Sequence, residues 1–114
     1  MSKFDEKVAI YKASAAELGL KLSDSLISGV AKSLGPSIYL ADASLVSGTD
    51  DVELARVKDN FLIKKLGLAE SPALMAGVNE VIDQMGRSNR NKHRALVYAL
   101  LAKKFGKEDM FTSK

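Results

Sequence analysis

The sequence predicts an all-α protein, a compact bundle of five or six short helices in one domain over residues 1–114. Three observations predict it. Apolar residues recur at helical spacing through most of the chain. Glycines follow these apolar stretches, where left-handed helix caps are expected. The one stretch without clear helical spacing alternates too briefly to form a sheet. With 46% hydrophobic and 27% charged residues, the chain can bury a core without disulfides.

Two helices are predicted in the first third of the chain. The first runs from about Lys3 to Leu18. The second follows Ser23, a typical N-cap residue, and ends at Gly35-Pro36, because proline interrupts the hydrogen-bond ladder and disfavours helix in the residue before it. The stretch 36–49 is compatible with a short helix or an extended loop, and we favour the short helix.

Three more helices are predicted in the rest of the chain. Asp50 opens the first of these, which continues to Leu66, and Glu53 is expected to complete a capping box. This helix is apolar on more than one face, which is typical of a central helix. The next begins at Ser71-Pro72, with proline at a position where its missing N–H costs nothing. The last spans about residues 91–105.

The sequence also contains a repeat. Residues 18–30 align without gaps on residues 66–78, and seven of thirteen positions are identical. The matches include Gly29 and Gly77 inside helices, where glycine costs about 1 kcal/mol, so close approach of a neighbour is expected at both. The sequence leaves open whether the domain consists of two similar three-helix halves, over residues 4–47 and 52–98. A short flexible tail is predicted over 108–114.

The charges are distributed unevenly. Residues 1–85 carry nine Lys/Arg and twelve Asp/Glu, whereas residues 86–107 carry seven Lys/Arg and no acid. Cations at a helix N-terminus oppose the helix dipole, so a bound anion would explain them. The candidate partner-binding residues are Arg87, Asn89, Arg90, Lys92, His93, Arg94, Lys103, Lys104 and Lys107.

The nature of the partner stays open at this point. Nucleic acid and an acidic protein surface both fit a basic stretch, although the stretch has no interleaved aromatic residues to stack bases. The cations could instead pair with the domain's own acids, such as Asp42, Asp50 and Asp51, or face water. The leading hypothesis is a non-enzymatic binding module with a basic C-terminal surface. The alternative is a structural or regulatory homo-oligomer, for example a homodimer, that associates through exposed apolar surface on the helix from Asp50 to Leu66.

Catalysis, cofactors and membranes are not expected. His93 is the only histidine and cysteine is absent, so no metal or nucleophile motif can be assembled from the familiar spacings. No cofactor is predicted, and an enzyme is the least favoured class. The charged start lacks the apolar core of a signal peptide, and no apolar run reaches the roughly 20 residues of a membrane span. A cytoplasmic location is therefore expected.

Four segments resemble a family of short bacterial proteins, domain of unknown function 2853. They are residues 35–47, 55–68, 88–95 and 103–107, and the block Ser-Asn-Arg-Asn-Lys at 88–92 is the most distinctive. The resemblance covers nearly the whole chain and implies a bacterial source and a compact helical fold. Members of the family often carry tyrosine where this chain has His93, which weighs against histidine chemistry. The resemblance implies no activity and no functional residue.

Overall fold

A computed structural model of the chain describes residues 3–40, 45–46, 50–89 and 92–112. Within these ranges the protein is all-α, as predicted. The α-helices are α1 (Lys3–Glu17), α2 (Asp24–Leu34), α3 (Asp51–Val57), α4 (Pro72–Met85), α5 (Arg94–Lys104) and α6 (Asp109–Thr112). A 3₁₀ helix, Gly35–Tyr39, extends α2, and a π-helix, Lys58–Ile63, extends α3.

Two of the predicted helix caps are confirmed. The Ser23 hydroxyl accepts a backbone N–H of α2 at 3.1 Å, and the Asp50 carboxylate accepts two N–H groups of α3 at 3.0 and 3.4 Å. Ser71 precedes Pro72 as expected, but its side chain forms no capping hydrogen bond. The capping box at Glu53 is wrong, because the carboxylate of Glu53 turns away to bind Arg94.

The centre of the bundle is α5. Every residue from Ala95 to Ala102 is buried, and α5 packs against α1, α2 and α4. The prediction that the helix following Asp50 is central is wrong. That segment packs against α4, and Val52 on it is 60% exposed.

The segment after Asp50 also differs from a regular helix. From Lys58 onwards its hydrogen bonds join residues five apart, for example Lys64 N to the Asp59 carbonyl at 3.1 Å and Leu66 N to the Phe61 carbonyl at 2.8 Å. Apolar spacing does not distinguish a π-turn from an α-turn, so the sequence predicted one continuous α-helix.

The predicted short helix in the stretch 36–49 corresponds to the 3₁₀ helix as far as Tyr39. Residues 41–44 and 47–49 lie outside the described residues. Leu45 forms an isolated antiparallel bridge with His93, and the N–H of Val46 donates to the Lys92 carbonyl at 2.8 Å. Because residues 92–93 are extended by this pairing, α5 begins at Arg94 rather than at residue 91.

The interior glycines are approached closely, as predicted. A Cβ added at Gly29 would overlap the backbone carbonyl of Phe111, and one at Gly77 would lie 2.7 Å from the ring of Phe105. Residues 109–112 form α6, which packs on α2, in place of the flexible tail predicted from 108.

The two repeat copies share several features. Gly19 and Gly67 both have left-handed backbones, with φ of 72° and 74°, and each precedes a helix that packs on α5. The two helices differ in length, with 11 residues in α2 and 14 in α4. An internal duplication therefore stays a prediction.

Candidate partner-binding surface

The first part of the basic stretch is tied to the end of α4. The Arg87 guanidinium pairs with the Asp83 carboxylate at 2.9 Å and lies 3.3 Å from the side-chain oxygen of Asn79. The side-chain amide of Asn89 donates to the Met85 carbonyl at 3.0 Å. Arg90 lies outside the described residues. These contacts give Arg87 and Asn89 a role in shaping the turn after α4.

Lys92 is not a surface residue. It is only 4% exposed, and its ammonium donates to the backbone carbonyls of Arg87, at 2.9 Å, and of Asn89. Burial, and then the charge of Arg87, lower the pKa of Lys92 from its ordinary 10.5. The expectation that Lys92 faces a partner is corrected: carbonyls in this turn have no helical partner, and an ammonium with three donors satisfies them.

The side chain of Arg94 likewise binds groups of the protein itself. Its guanidinium forms an ion pair with Glu53 at 2.5 Å and donates to the Leu45 carbonyl at 3.3 Å and the Tyr98 hydroxyl at 3.0 Å. The side chains of Arg94 and Glu53 are 17% and 19% exposed. Pairing with the domain's own acids was one expected alternative, and Glu53 is such an acid, although it was not among those named; Asp42 lies outside the described residues.

His93 packs on an aromatic ring of α1. The ring centroids of His93 and Tyr11 lie 5.1 Å apart with the planes tilted by 56°. Burial, and then the charge of Lys7, lower the pKa of His93 from 6.5, so the imidazole is neutral at physiological pH. In residues 3–40, 45–46, 50–89 and 92–112, His, Cys, Asp and Glu side chains form no group of three that could hold a metal ion.

The second part of the basic stretch lines a groove. The groove has a volume of about 750 Å³ and lies between the α1–α2 turn, the C-terminal half of α4 and the end of α5. Lys103 is exposed, and its ammonium donates to the carbonyl of Lys21; Lys104 pairs with Glu80 at 2.5 Å. The lining residues are Gly19, Lys21, Glu80, Val81, Asp83, Gln84, Leu100, Lys103 and Lys104. Lys107 is not among them.

The charge of the groove is positive. Its lining carries three lysines and two carboxylates, and both carboxylates are engaged, Glu80 by Lys104 and Asp83 by Arg87. Lys21 and Lys103 therefore provide the positive charge that the groove does not balance internally. Together they can bind a carboxylate by charge-assisted hydrogen bonds.

Lys21 was missed by the sequence analysis because it lies 82 residues before Lys103, in a turn within the acidic part of the chain. The one available signal is the repeat, in which Lys21 aligns with Ala69, so the two copies differ in charge at this position.

These features define a compact helical domain with a basic groove, and none of its α-helices within the described part is long and apolar enough to span a membrane. The chain belongs to the family described as "Protein of unknown function (DUF2853)", which it matches over residues 10–109. The predicted family resemblance is thereby confirmed. No curated protein matches the chain.

Proposed function

We propose that this protein is a non-enzymatic binding module that recognises an acidic segment of another protein in the groove of Lys21, Lys103 and Lys104. The observation that carries the proposal is the convergence of these lysines, from distant parts of the chain, on one groove. Val81 and Leu100 also line the groove but are only 2% and 6% exposed, so the lysines dominate the surface it offers. An acidic segment would complement this positive charge.

Nucleic acid fits this groove less well. Glu80 and Asp83 are paired with Lys104 and Arg87, but their side chains remain 68% and 65% exposed, so their charge is offset only in part and disfavours the continuous charge of a phosphate backbone. The lining residues within the described part of the chain include no aromatic side chain on which a base could stack. A peptide can place its carboxylates at Lys21 and Lys103 and avoid the two acids.

The homo-oligomer remains the alternative, with weaker support. On the segment from Asp50 to Leu66, most large apolar side chains are buried, including Leu54 and Phe61, and Val52 is the exposed one. We also propose a bacterial, cytoplasmic setting, which rests on the family resemblance and the sequence expectations. Sedimentation at several concentrations tests the alternative, because a strict monomer contradicts it.

The proposed function is tested with a fluorescent glutamate-rich peptide. We expect binding that weakens with added salt, and we expect Lys21→Gln/Lys103→Gln to weaken it about fivefold, since each exposed ion pair contributes up to about 1 kcal/mol. The matched control is Lys32→Gln/Lys64→Gln, which removes two exposed charges outside the groove.

Two results would contradict the proposal. One is an equal loss of peptide binding in the control pair, which would indicate a response to net charge alone. The other is tighter binding of a DNA oligonucleotide than of the peptide at the same salt concentration, with the same dependence on Lys21 and Lys103. That result would favour nucleic acid as the partner.

A further inference from the structure

A second cavity, separate from the lysine groove, lies between α1 and the end of the 3₁₀ helix. Its volume is about 440 Å³, and its lining residues are Lys3, Glu6, Lys7, Ile10 and Tyr39. Small-molecule sites have volumes of about 300–1,000 Å³. None of these residues lines the groove of Lys21 and Lys103.

One wall of this cavity is apolar and accessible. Ile10 is 46% exposed and Tyr39 is 42% exposed, and Leu40, next to Tyr39 in the chain, is 59% exposed. Single exposed apolar side chains are common on folded proteins, whereas neighbouring ones mark binding surfaces. The apolar body of a ligand would be stabilised here.

The side of α1 that carries Ile10 also carries cations. Lys3, Lys7 and Ile10 are spaced four and three residues apart, which places them along one face of α1. Glu6 is the one acid among the five described lining residues, and these five carry a net charge of +1. A ligand that extends an apolar body along Ile10 would meet an ammonium group at its end. This arrangement selects an anionic head group over a cationic one.

An unsatisfied hydroxyl lies next to these residues. Tyr11 is only 1% exposed, and among the described residues its hydroxyl has no hydrogen-bond partner. Burial, and then the proximity of Tyr39, raise the pKa of Tyr11. Buried hydroxyls are rarely left without a partner, because the lost hydrogen bonds to water are not replaced. Tyr11 does not itself line the cavity, so contact between a ligand and its hydroxyl requires a side-chain movement on binding.

We propose that this cavity binds a small amphiphilic monocarboxylate. Its apolar body packs against Ile10 and Tyr39, its carboxylate lies at Lys7, and the Tyr11 hydroxyl donates a hydrogen bond to it. The proposal is independent of the lysine groove and of its protein partner. The bound ligand would provide a hydrogen-bond acceptor for the Tyr11 hydroxyl and would shield the side chains of Ile10 and Tyr39 from water.

The probe is octanoate, with octylammonium as the control of equal chain length and opposite charge. Because His93 is the sole histidine and packs on Tyr11, its ring protons report on the site by NMR. We expect octanoate to shift the resonances of His93 and the Ile10 methyl groups saturably at millimolar concentrations, and octylammonium to leave them unchanged. Equal shifts with octylammonium, or no saturable shift with octanoate, would overturn the proposal.

Three variants test the individual contacts. Lys7→Gln should weaken octanoate binding about threefold, whereas Lys12→Gln, outside the cavity lining, should not. Ile10→Ser should weaken it through loss of apolar contact. Tyr11→Phe should weaken binding even though the unliganded variant unfolds at the same or a higher urea concentration, since the deleted hydroxyl was unpaired. Unchanged affinity in Tyr11→Phe, or equal losses in Lys7→Gln and Lys12→Gln, would overturn the proposal.

Discussion

Cations in the last third of this chain have two different roles. The ammonium of Lys92 and the guanidinium of Arg94 bind groups of the protein itself, whereas Lys103 stands exposed beside Lys21 at a groove. Removing a cation from water requires hydrogen bonds to replace those lost, and both the buried Lys92 and the partly buried Arg94 have them. The positive charge of the segment is therefore partly structural and partly available to a partner.

Removal of Arg94 should destabilise the protein more than removal of an exposed arginine. We expect Arg94→Met to lower the free energy of unfolding by about 3 kcal/mol, because it leaves the Glu53 carboxylate and the Leu45 carbonyl without this donor. Urea unfolding followed by circular dichroism measures it. Arg87→Met, which breaks a more exposed pair with Asp83, should cost less than about 1 kcal/mol.

A double-mutant cycle isolates the pair itself. In the background of Glu53→Gln, Arg94→Met should lower the free energy of unfolding by less than it does in the native chain. The reason is that the Glu53 carboxylate, which Arg94→Met would leave unpaired, is already absent. Strict additivity of the two changes would contradict a stabilising contribution from the pair of Arg94 and Glu53.

His93 should make stability depend on pH. Its folded-state pKa lies below 6.5, so the unfolded chain binds the proton more tightly. The contribution is complete above about pH 6.5 and is lost as the pH falls through the folded pKa. We expect the free energy of unfolding to decrease over that interval, and the decrease to be smaller in His93→Asn.

NMR titration of the sole histidine provides the direct measurement. Its midpoint should lie below 6.5 and should rise in Lys7→Gln, which removes the nearby charge, but should stay in place in Lys12→Gln. A midpoint at or above 6.5 in the native protein would contradict the partial burial of the ring against Tyr11.

At the scale of helices, two glycines determine how segments meet. Gly29 admits the backbone of Phe111, and Gly77 admits the ring of Phe105. Glycine inside a helix lowers helix stability by about 1 kcal/mol relative to alanine. The close packing of Phe111 and Phe105 at these two positions offsets that loss. The sequence repeat predicted this feature, although it did not identify the approaching residues.

Gly29→Ala should have opposite effects in two chain lengths. In the full chain we expect the free energy of unfolding to fall by about 1 kcal/mol, because the new Cβ displaces the carbonyl of Phe111. In a chain that ends at Lys107, the same change should raise it by about 1 kcal/mol, as alanine does in a free helix. Urea unfolding of the four proteins tests this.

Gly77→Ala is the matched control for the shortened chain. Its Cβ meets Phe105, which both chain lengths retain, so it should destabilise both equally. A stabilising effect of Gly29→Ala in the full chain would show that α6 does not rest on α2.

The whole molecule is organised around α5, which packs against α1, α2 and α4 and ends at the lysine groove. Its Cα radius of gyration of 12.9 Å agrees with the roughly 13 Å expected for one folded domain of this length. The groove depends on this packing, since Lys21 lies in the turn between α1 and α2, Glu80 on α4 and Lys103 on α5.

Sequence by itself determined the helical class, the caps at Ser23 and Asp50 and the close approach at Gly29 and Gly77. These features follow from local rules of hydrogen bonding, backbone conformation and spacing, which operate within a few residues. Only the tertiary structure decided which cations are buried, which helix is central and which lysines share a groove. Each of these depends on groups that are distant in the chain and are brought together by packing of the apolar core.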